Sequence, residues 1–366
     1  MNISAPGKLM LSGEWSVLEN GVPCIVLAVD QRVYASIEEA SETKINLKDF
    51  EIETNAVIEG TKISFEKEDE KLLFTKHSIE TALKYIAAKG IAVKNFELET
   101  RGDNTTVAVN GKQMKVGFGS SAAAVTAITG AVLKLHGIDI ETKQGELVLF
   151  KLAIIAHFNA QGKVGSGFDV GASVFGGALV YKRFDAEWLV NELQEKSVQG
   201  VADEEWPGFE ARNISLPKEL ELMVGFTGKS ASTKELVLKI REFKKEKPEE
   251  YEKIIESIKE VTEKLIIALQ NSEKQKIIEL LNENRKLLKT LSDASNNNLE
   301  IEEHKIMSEI ASANGCAAKF SGAGGGDSSV GICFEKETKE KVLKEWKEKG
   351  IIPIEANVSE NGATVE

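Results

Sequence analysis

The chain has 366 residues, 42% of them hydrophobic and 28% charged, with a net charge of −12. That length suits two hydrophobic cores, the composition is that of a soluble globular protein, and no apolar run is long enough to span a bilayer. The acidic balance argues against a nucleic-acid binder, which needs a basic face to neutralise phosphates.

Taken in order, Met1–Lys8 lacks the charge and apolar core of a signal peptide. Ala5–Glu14 reads as a turn, a short apolar strand and a second turn. Lys8, after Pro6-Gly7, is either a pocket lysine or an exposed strand-end lysine. Arg32–Phe74 alternates like strands with a solvated face, Thr75–Ala88 reads as an amphipathic helix, and Phe96–Thr100 as a strand. Val107–Lys112 suggests a hairpin turned at Asn110-Gly111.

The hairpin leads into Lys115-Val-Gly-Phe-Gly-Ser-Ser-Ala-Ala-Ala124, followed by a small, apolar helix-forming run. Gly117 and Gly119 let the backbone approach a ligand, and Ser120, Ser121 and Ala122 fall at a helix N-terminus, where free N–H groups favour an anion, above all a phosphate. A serine there can also reach magnesium; the plain reading is a serine-capped turn. A dinucleotide fingerprint would need glycine where Ala122 stands, and a Walker loop ending at Gly228-Lys-Ser would need glycine at Met223.

Thr142–Asn159 reads as a helix, broken by Ala160-Gln-Gly-Lys-Val-Gly-Ser-Gly-Phe-Asp169. Asp169 precedes a tightly packing small-residue run, so it is either a helix N-cap or a buried acid with a partner. Asp185–Pro217, polar with two tryptophans, looks like a bridge between domains. Leu220–Phe226 reads as a strand, and Lys247–Asn314 as long helices with charged outer faces. Gly322–Gly326, broken only by Ala323, carries too much glycine for an ordinary turn and suits a backbone lying against a ligand. The cysteines Cys24, Cys316 and Cys333 lack metal spacing and read as reduced thiols of a cytoplasmic protein. The histidines His77, His136, His157 and His304 form no metal-like cluster and read as structural or solvent-facing.

Ala5–Glu14, Lys115–Ala123 and Lys319–Asp327, in that order and spacing, resemble the three motifs of the GHMP kinases, across nearly the whole chain. Ser12–Glu19, Ala160–Asp169, Gly228–Thr233 and Ser321–Asp327 look most like the phosphomevalonate kinases of that family. The resemblance implies an α+β, two-domain fold with its active site in the interdomain cleft. The expected units are 1–190, like ribosomal S5 domain 2, and 191–366, ferredoxin-like. It implies an enzyme that uses ATP and Mg2+ to phosphorylate 5-phosphomevalonate, with no nucleic-acid or membrane partner, as a monomer or homodimer. Carried over by position, Lys115, Gly117, Phe118, Gly119, Ser120, Ser121 and Ala122 bind ATP, with Ser121 on the metal. Lys8 and Asp169 stand at the transferred group, and Gly322, Ala323, Gly324 and Gly325 close over phosphates and acceptor. Lys163, Ser166, Lys229, Ser230 and Ser232 are candidates for holding the acceptor's phosphate and carboxylate. A glutamate that mevalonate kinases carry upstream of the aspartate has no counterpart, Phe158 and Asn159 standing there.

A phosphate acceptor has a second pKa of about 6, so at neutral pH it needs cations rather than a base. Asp169 is therefore expected to orient Lys8 or the metal. For a hydroxyl acceptor, as in mevalonate kinase, Asp169 becomes the general base. A diphosphomevalonate decarboxylase and a non-catalytic ligand sensor are the remaining readings.

Overall fold

The computed structural model describes residues 1–103, 106–109, 112–162, 165–230 and 233–366. The first strand, β1 (Asn2–Ser12), is a single strand rather than the expected turn–strand–turn. It runs antiparallel to the long β2 (Pro23–Glu39), with a register shift at Pro6/Gly7. The shift is what lets a proline, which has no N–H for the ladder, stay inside a strand.

Along the chain follow β3 (Thr43–Leu47), β4 (Ile52–Glu59), β5 (Lys62–Phe65), α1 (Leu73–Ala88), β6 (Phe96–Gly102), and the hairpin β7 (Thr106–Val109) and β8 (Lys112–Lys115). The expected turn at Asn110-Gly111 lies outside the described residues. Next come α2 (Ser120–Leu135), α3 (Lys143–Gln161), α4 (Phe168–Phe175), β9 (Ala178–Lys182), α5 (Ala186–Glu195), α6 (Val198–Asp203) and β10 (Glu210–Ile214). The remainder is β11 (Glu221–Phe226), α7 (Thr233–Glu246), α8 (Pro248–Gln270), α9 (Lys274–Ala294), α10 (Glu302–Ala313), β12 (Ala317–Phe320), β13 (Ser328–Cys333), α11 (Lys336–Glu348), β14 (Ile352–Ile354) and β15 (Thr364–Val365).

A nine-stranded sheet runs β10-β9-β2-β6-β3-β4-β5, with β1 on β2 and β15 on β1; a four-stranded sheet runs β12-β13-β11-β14. Helices α1 to α4 cover one face of the large sheet. Among them α2 is small and apolar through its middle, and Val125–Leu133 is buried on every side, as such a stretch must be. Alternate residues of β1 serve different cores. Ile3, Ala5 and Met10 face the helices. Leu9 and Leu11 instead join Ile25 and Leu27 of β2 in packing on β11, β13 and the amphipathic pair α8–α9. A strand buried on both sides reads as an unbroken apolar run, which is why this stretch shows no alternation.

Asp185–Pro217 is not a bridge. It forms α5, α6 and β10, and β10 pairs with β9 in the large sheet. Trp206 is buried against Phe184 and Phe150, so the aromatic residues that punctuate this polar stretch anchor it to the core. All three cysteines are buried and unpaired. No helix among the described residues is long and apolar enough to cross a membrane.

Candidate active site

Three loops meet at one lysine. Lys8 leaves β1 beside the loop after β8: its N–H donates to Phe118 O (2.8 Å) and its Nζ to Gly117 O (2.9 Å). Gly119, at φ 72°, is the N-cap of α2, which carries no side-chain cap and no acid in its first turn. The first N–H groups of α2 and the positive end of its dipole are therefore open to an anion. A Cβ on Gly119 would lie 3.2 Å from Lys8 side-chain atoms and 3.8 Å from Asp169 Cβ; one on Gly117 would lie 2.9 Å from Asp327 Cβ. Lys8, Asp169 and Asp327 thus crowd the same phosphate-sized loop.

Asp169 lies in the first turn of α4 and is not its N-cap, a place taken by Gly167 at φ 79°. Its Oδ1 accepts the Val170 N–H at 3.0 Å. Asp327 follows the glycine run at φ 57°, a left-handed conformation that costs a non-glycine residue about 1 kcal/mol. Its N–H donates to Lys229 O (2.8 Å) and its carbonyl accepts from Thr227 (2.9 Å), which holds that conformation in place. Burial pushes the Lys8 ammonium down and the Asp327 carboxyl up. Asp169, Asp327 and Glu14 oppose the first shift, and Lys8 the second.

A cavity of about 570 Å³ opens over these groups, and Lys8, Gly117, Gly119, Ser166, Asp169, Gly322, Ala323 and Gly324 are on its wall. Ser166 also presents its carbonyl to Tyr181 Oη at 2.9 Å. Ser120 and Ser121 open α2, Ala122 is enclosed, and Phe118 is buried so that its carbonyl, not its ring, serves the site. Gly325 turns away, donating its N–H to Leu299 O at 2.7 Å. Lys229 and Ser230 are exposed and off the wall, Lys229 pairing with Glu303 at 2.5 Å. Lys115 ends β8, with its side chain outside the described residues; Lys163 and Ser232 lie outside them altogether.

Other wall residues were not singled out by sequence, although Glu19 ends the kinase-like stretch Ser12–Glu19. Arg183, Arg241 and Lys244 are cations of the cavity, and Glu19, which binds Lys244 (2.7 Å) and Tyr251 Oη (2.8 Å), closes its edge. Arg183 feels Glu19 and is pushed down by burial and by Arg241. His157, read as structural or solvent-facing, is largely buried yet reaches the wall. Behind the wall, Glu14 and Lys319 form an ion pair with 0% and 1% of their side chains exposed. Burial pushes the Glu14 carboxyl up and the Lys319 ammonium down, and each partner opposes the other's shift.

Asp169 and Asp327 place oxygen donors of the hard kind that magnesium takes beside the loop, and Ser121 lies in the first turn of α2, off the cavity wall; no group of three His, Cys, Asp or Glu that could hold a metal ion occurs among the described residues.

Residues 77–177 match the family pattern for the GHMP kinases N terminal domain, and residues 265–352 that for GHMP kinases C terminal. The chain is 27% identical over 365 residues to a phosphomevalonate kinase of Streptomyces sp. (strain CL190), covering 96% of this chain and 95% of that one. It is 31% identical over 375 residues to a mevalonate kinase of Pyrococcus abyssi, covering 99% and 97%. Its fold superposes on the Streptococcus pneumoniae phosphomevalonate kinase in complex with phosphomevalonate and AMPPNP with a TM-score of 0.84, at 23% identity, covering 98% and 99%.

Proposed function

The chain belongs to the GHMP kinases, and from that premise we propose that it transfers the γ-phosphoryl group of ATP to the phosphate of 5-phosphomevalonate, in the cytoplasm. The observation that carries the acceptor is the charge arrangement of the cleft. Among the described residues, Lys8 stands alone as a cation at the glycine loops, and Arg183, Arg241 and Lys244 gather near Glu19. A phosphorylated hydroxy acid brings a charge of about −3 at neutral pH. Cationic groups at two places on one wall suit such an acceptor better than one with a single carboxylate.

The residues divide the work by position. The open N-terminus of α2 and the glycines Gly117 and Gly119 hold the ATP phosphates through backbone N–H groups, the Phe118 N–H being donated to Val116 O. Lys8, whose charged form Asp169 and Asp327 favour against burial, neutralises the two polyanions as they approach, and Asp169 orients it. Ser121, Asp169 and Asp327 would hold Mg2+, which when bound supplies charge neutralisation on the phosphate oxygens. Gly322–Gly324 close over the acceptor. Transfer then depends on positioning and charge, with no proton to remove from the acceptor.

The second reading is mevalonate kinase, favoured by the Pyrococcus abyssi relative; under it Asp169 is the general base. A coupled ADP-release assay with ATP, Mg2+ and, separately, mevalonate, 5-phosphomevalonate and homoserine distinguishes the two. Turnover on 5-phosphomevalonate alone is expected. Turnover on mevalonate overturns the acceptor assignment and restores the base.

A further inference from the structure

The Glu14–Lys319 ion pair joins residues 305 apart in sequence, and neither residue is on the cavity wall. Glu14 lies in a turn whose flanking residues are both left-handed, Gly13 at φ 94° and Trp15 at φ 64°. A Cβ on Gly13 would come within 2.6 Å of Cys24 Cβ, so only glycine fits there. Trp15 has no such freedom and carries real strain. The turn sends the Glu14 carboxylate inward to Lys319, at the end of β12, whose Nζ also donates to Phe320 O at 2.8 Å. One residue beyond, Ser321 Oγ accepts the Met10 N–H at 2.7 Å. β1, which carries Lys8, is therefore fastened at two points to the root of the loop that carries Asp327. A buried ion pair is a poor stabiliser, because desolvation offsets its attraction, and an apolar pair of similar volume often holds a fold as well or better. The backbone N–H groups of Glu14 itself and of Gly322 also favour the charged carboxylate, which ties it to the first residue of the glycine run. Strain and desolvation at one point are not what stability alone selects.

We propose that Glu14 and Lys319 are positioning residues whose ion pair holds the glycine-rich loop 322–327 at the separation from Lys8 that phosphoryl transfer requires. The inference rests on the phosphotransferase reading but not on which acceptor is used.

The test compares Glu14→Gln with the double variant Glu14→Gln/Lys319→Met. The single variant leaves Lys319 buried without its counter-charge and is expected to lose both melting temperature and activity. The double variant is expected to melt within about 3 °C of the parent, with KM for ATP within about threefold, yet with kcat at least about 30-fold lower, because a misplaced reacting group costs rate rather than fold. Amide exchange at residues 322–327 is expected to quicken at least about tenfold in the double variant while β13 stays protected. Parental kcat with unchanged exchange overturns the proposal. Should the double variant melt lower, kcat is measured equally far below each protein's own Tm; recovery there overturns the proposal and a persistent loss supports it. A parent that turns over none of the acceptors sinks the phosphotransferase reading instead, and the exchange measurement still decides the role of the pair.

Discussion

At Lys8 and Asp169, charge and chemistry are separable from fold. Neither side chain is part of an apolar core, and Lys8 is held by a single hydrogen bond to Gly117 O. Lys8→Met or Asp169→Asn is expected to lower kcat by about 10²–10³ or more, the range for removing one group that stabilises transition-state charge, with Tm little changed. Coupled turnover beside thermal unfolding checks this, and a Tm loss large enough to explain the inactivity counts against it. His304 makes a different prediction. It is buried, with Nε2 donating to Gly326 O at 2.9 Å, and burial pushes it down to about 4. The unfolded chain takes up its proton near pH 6.5, so from pH 6.5 down to 4 the unfolded state binds more protons and stability falls. The fall amounts to about 3 kcal/mol over that window and is absent above it. Urea unfolding of the parent and His304→Asn between pH 4 and 7 should show a steeper fall in the parent, the fall left in the variant including His77 and His136, which burial also pushes down.

Among the elements, α2 does most to place the site, and Gly119 is where its backbone conformation meets Lys8 and Asp169. A side chain there must adopt φ 72° and also displace Lys8. Gly119→Ala is expected to cost about 1–2 kcal/mol of stability and to raise KM for ATP at least about tenfold, since the anion-facing N–H groups tilt with the cap. Isothermal titration with AMPPNP separates the two effects. The same region shows what was legible in sequence. Gly117, Gly119, Ser120 and the glycine run at 322–326 announce themselves because glycine at such density is entropically costly and has local causes. The helices α1, α3, α8 and α9 were equally plain from their periodicity. Arg183 and Arg241 were not, because nothing local distinguishes a wall cation from a solvated one; β9 and α7 bring them together only in three dimensions. Asp185–Pro217 misled for the converse reason: its charges face solvent while a few aromatics, Trp206 above all, bury the segment. The unbroken β1 was obscured by Pro6, whose tolerance depends on a register shift that the partner strand supplies.

Across the whole molecule, the two ends of the chain close the large sheet together. Arg32 fastens them: its guanidinium donates to Ser4 Oγ (2.8 Å), Gly362 O (2.6 Å) and Ser359 Oγ (2.9 Å). Arg32→Ala is expected to cost about 2 kcal/mol, the scale of charge-assisted hydrogen bonds, and to lower Tm by about 3 °C. Its kcat should be that of the parent, since Arg32 is not on the cavity wall; differential scanning calorimetry with turnover measured alongside tests both halves. The pairing of Ile3 with Val365 and Ser4 with Thr364 has a consequence for biosynthesis. A ribosome making 5–20 residues per second needs roughly 20–70 s to travel from one partner to the other. Throughout that interval Ile3 and Ser4 of β1 have β2 on one side and backbone groups awaiting β15 on the other, a short template for a passing strand. The edge of β1 at Ile3 and Ser4 therefore waits for residues 364–365, long after the strands and helices around it have been made.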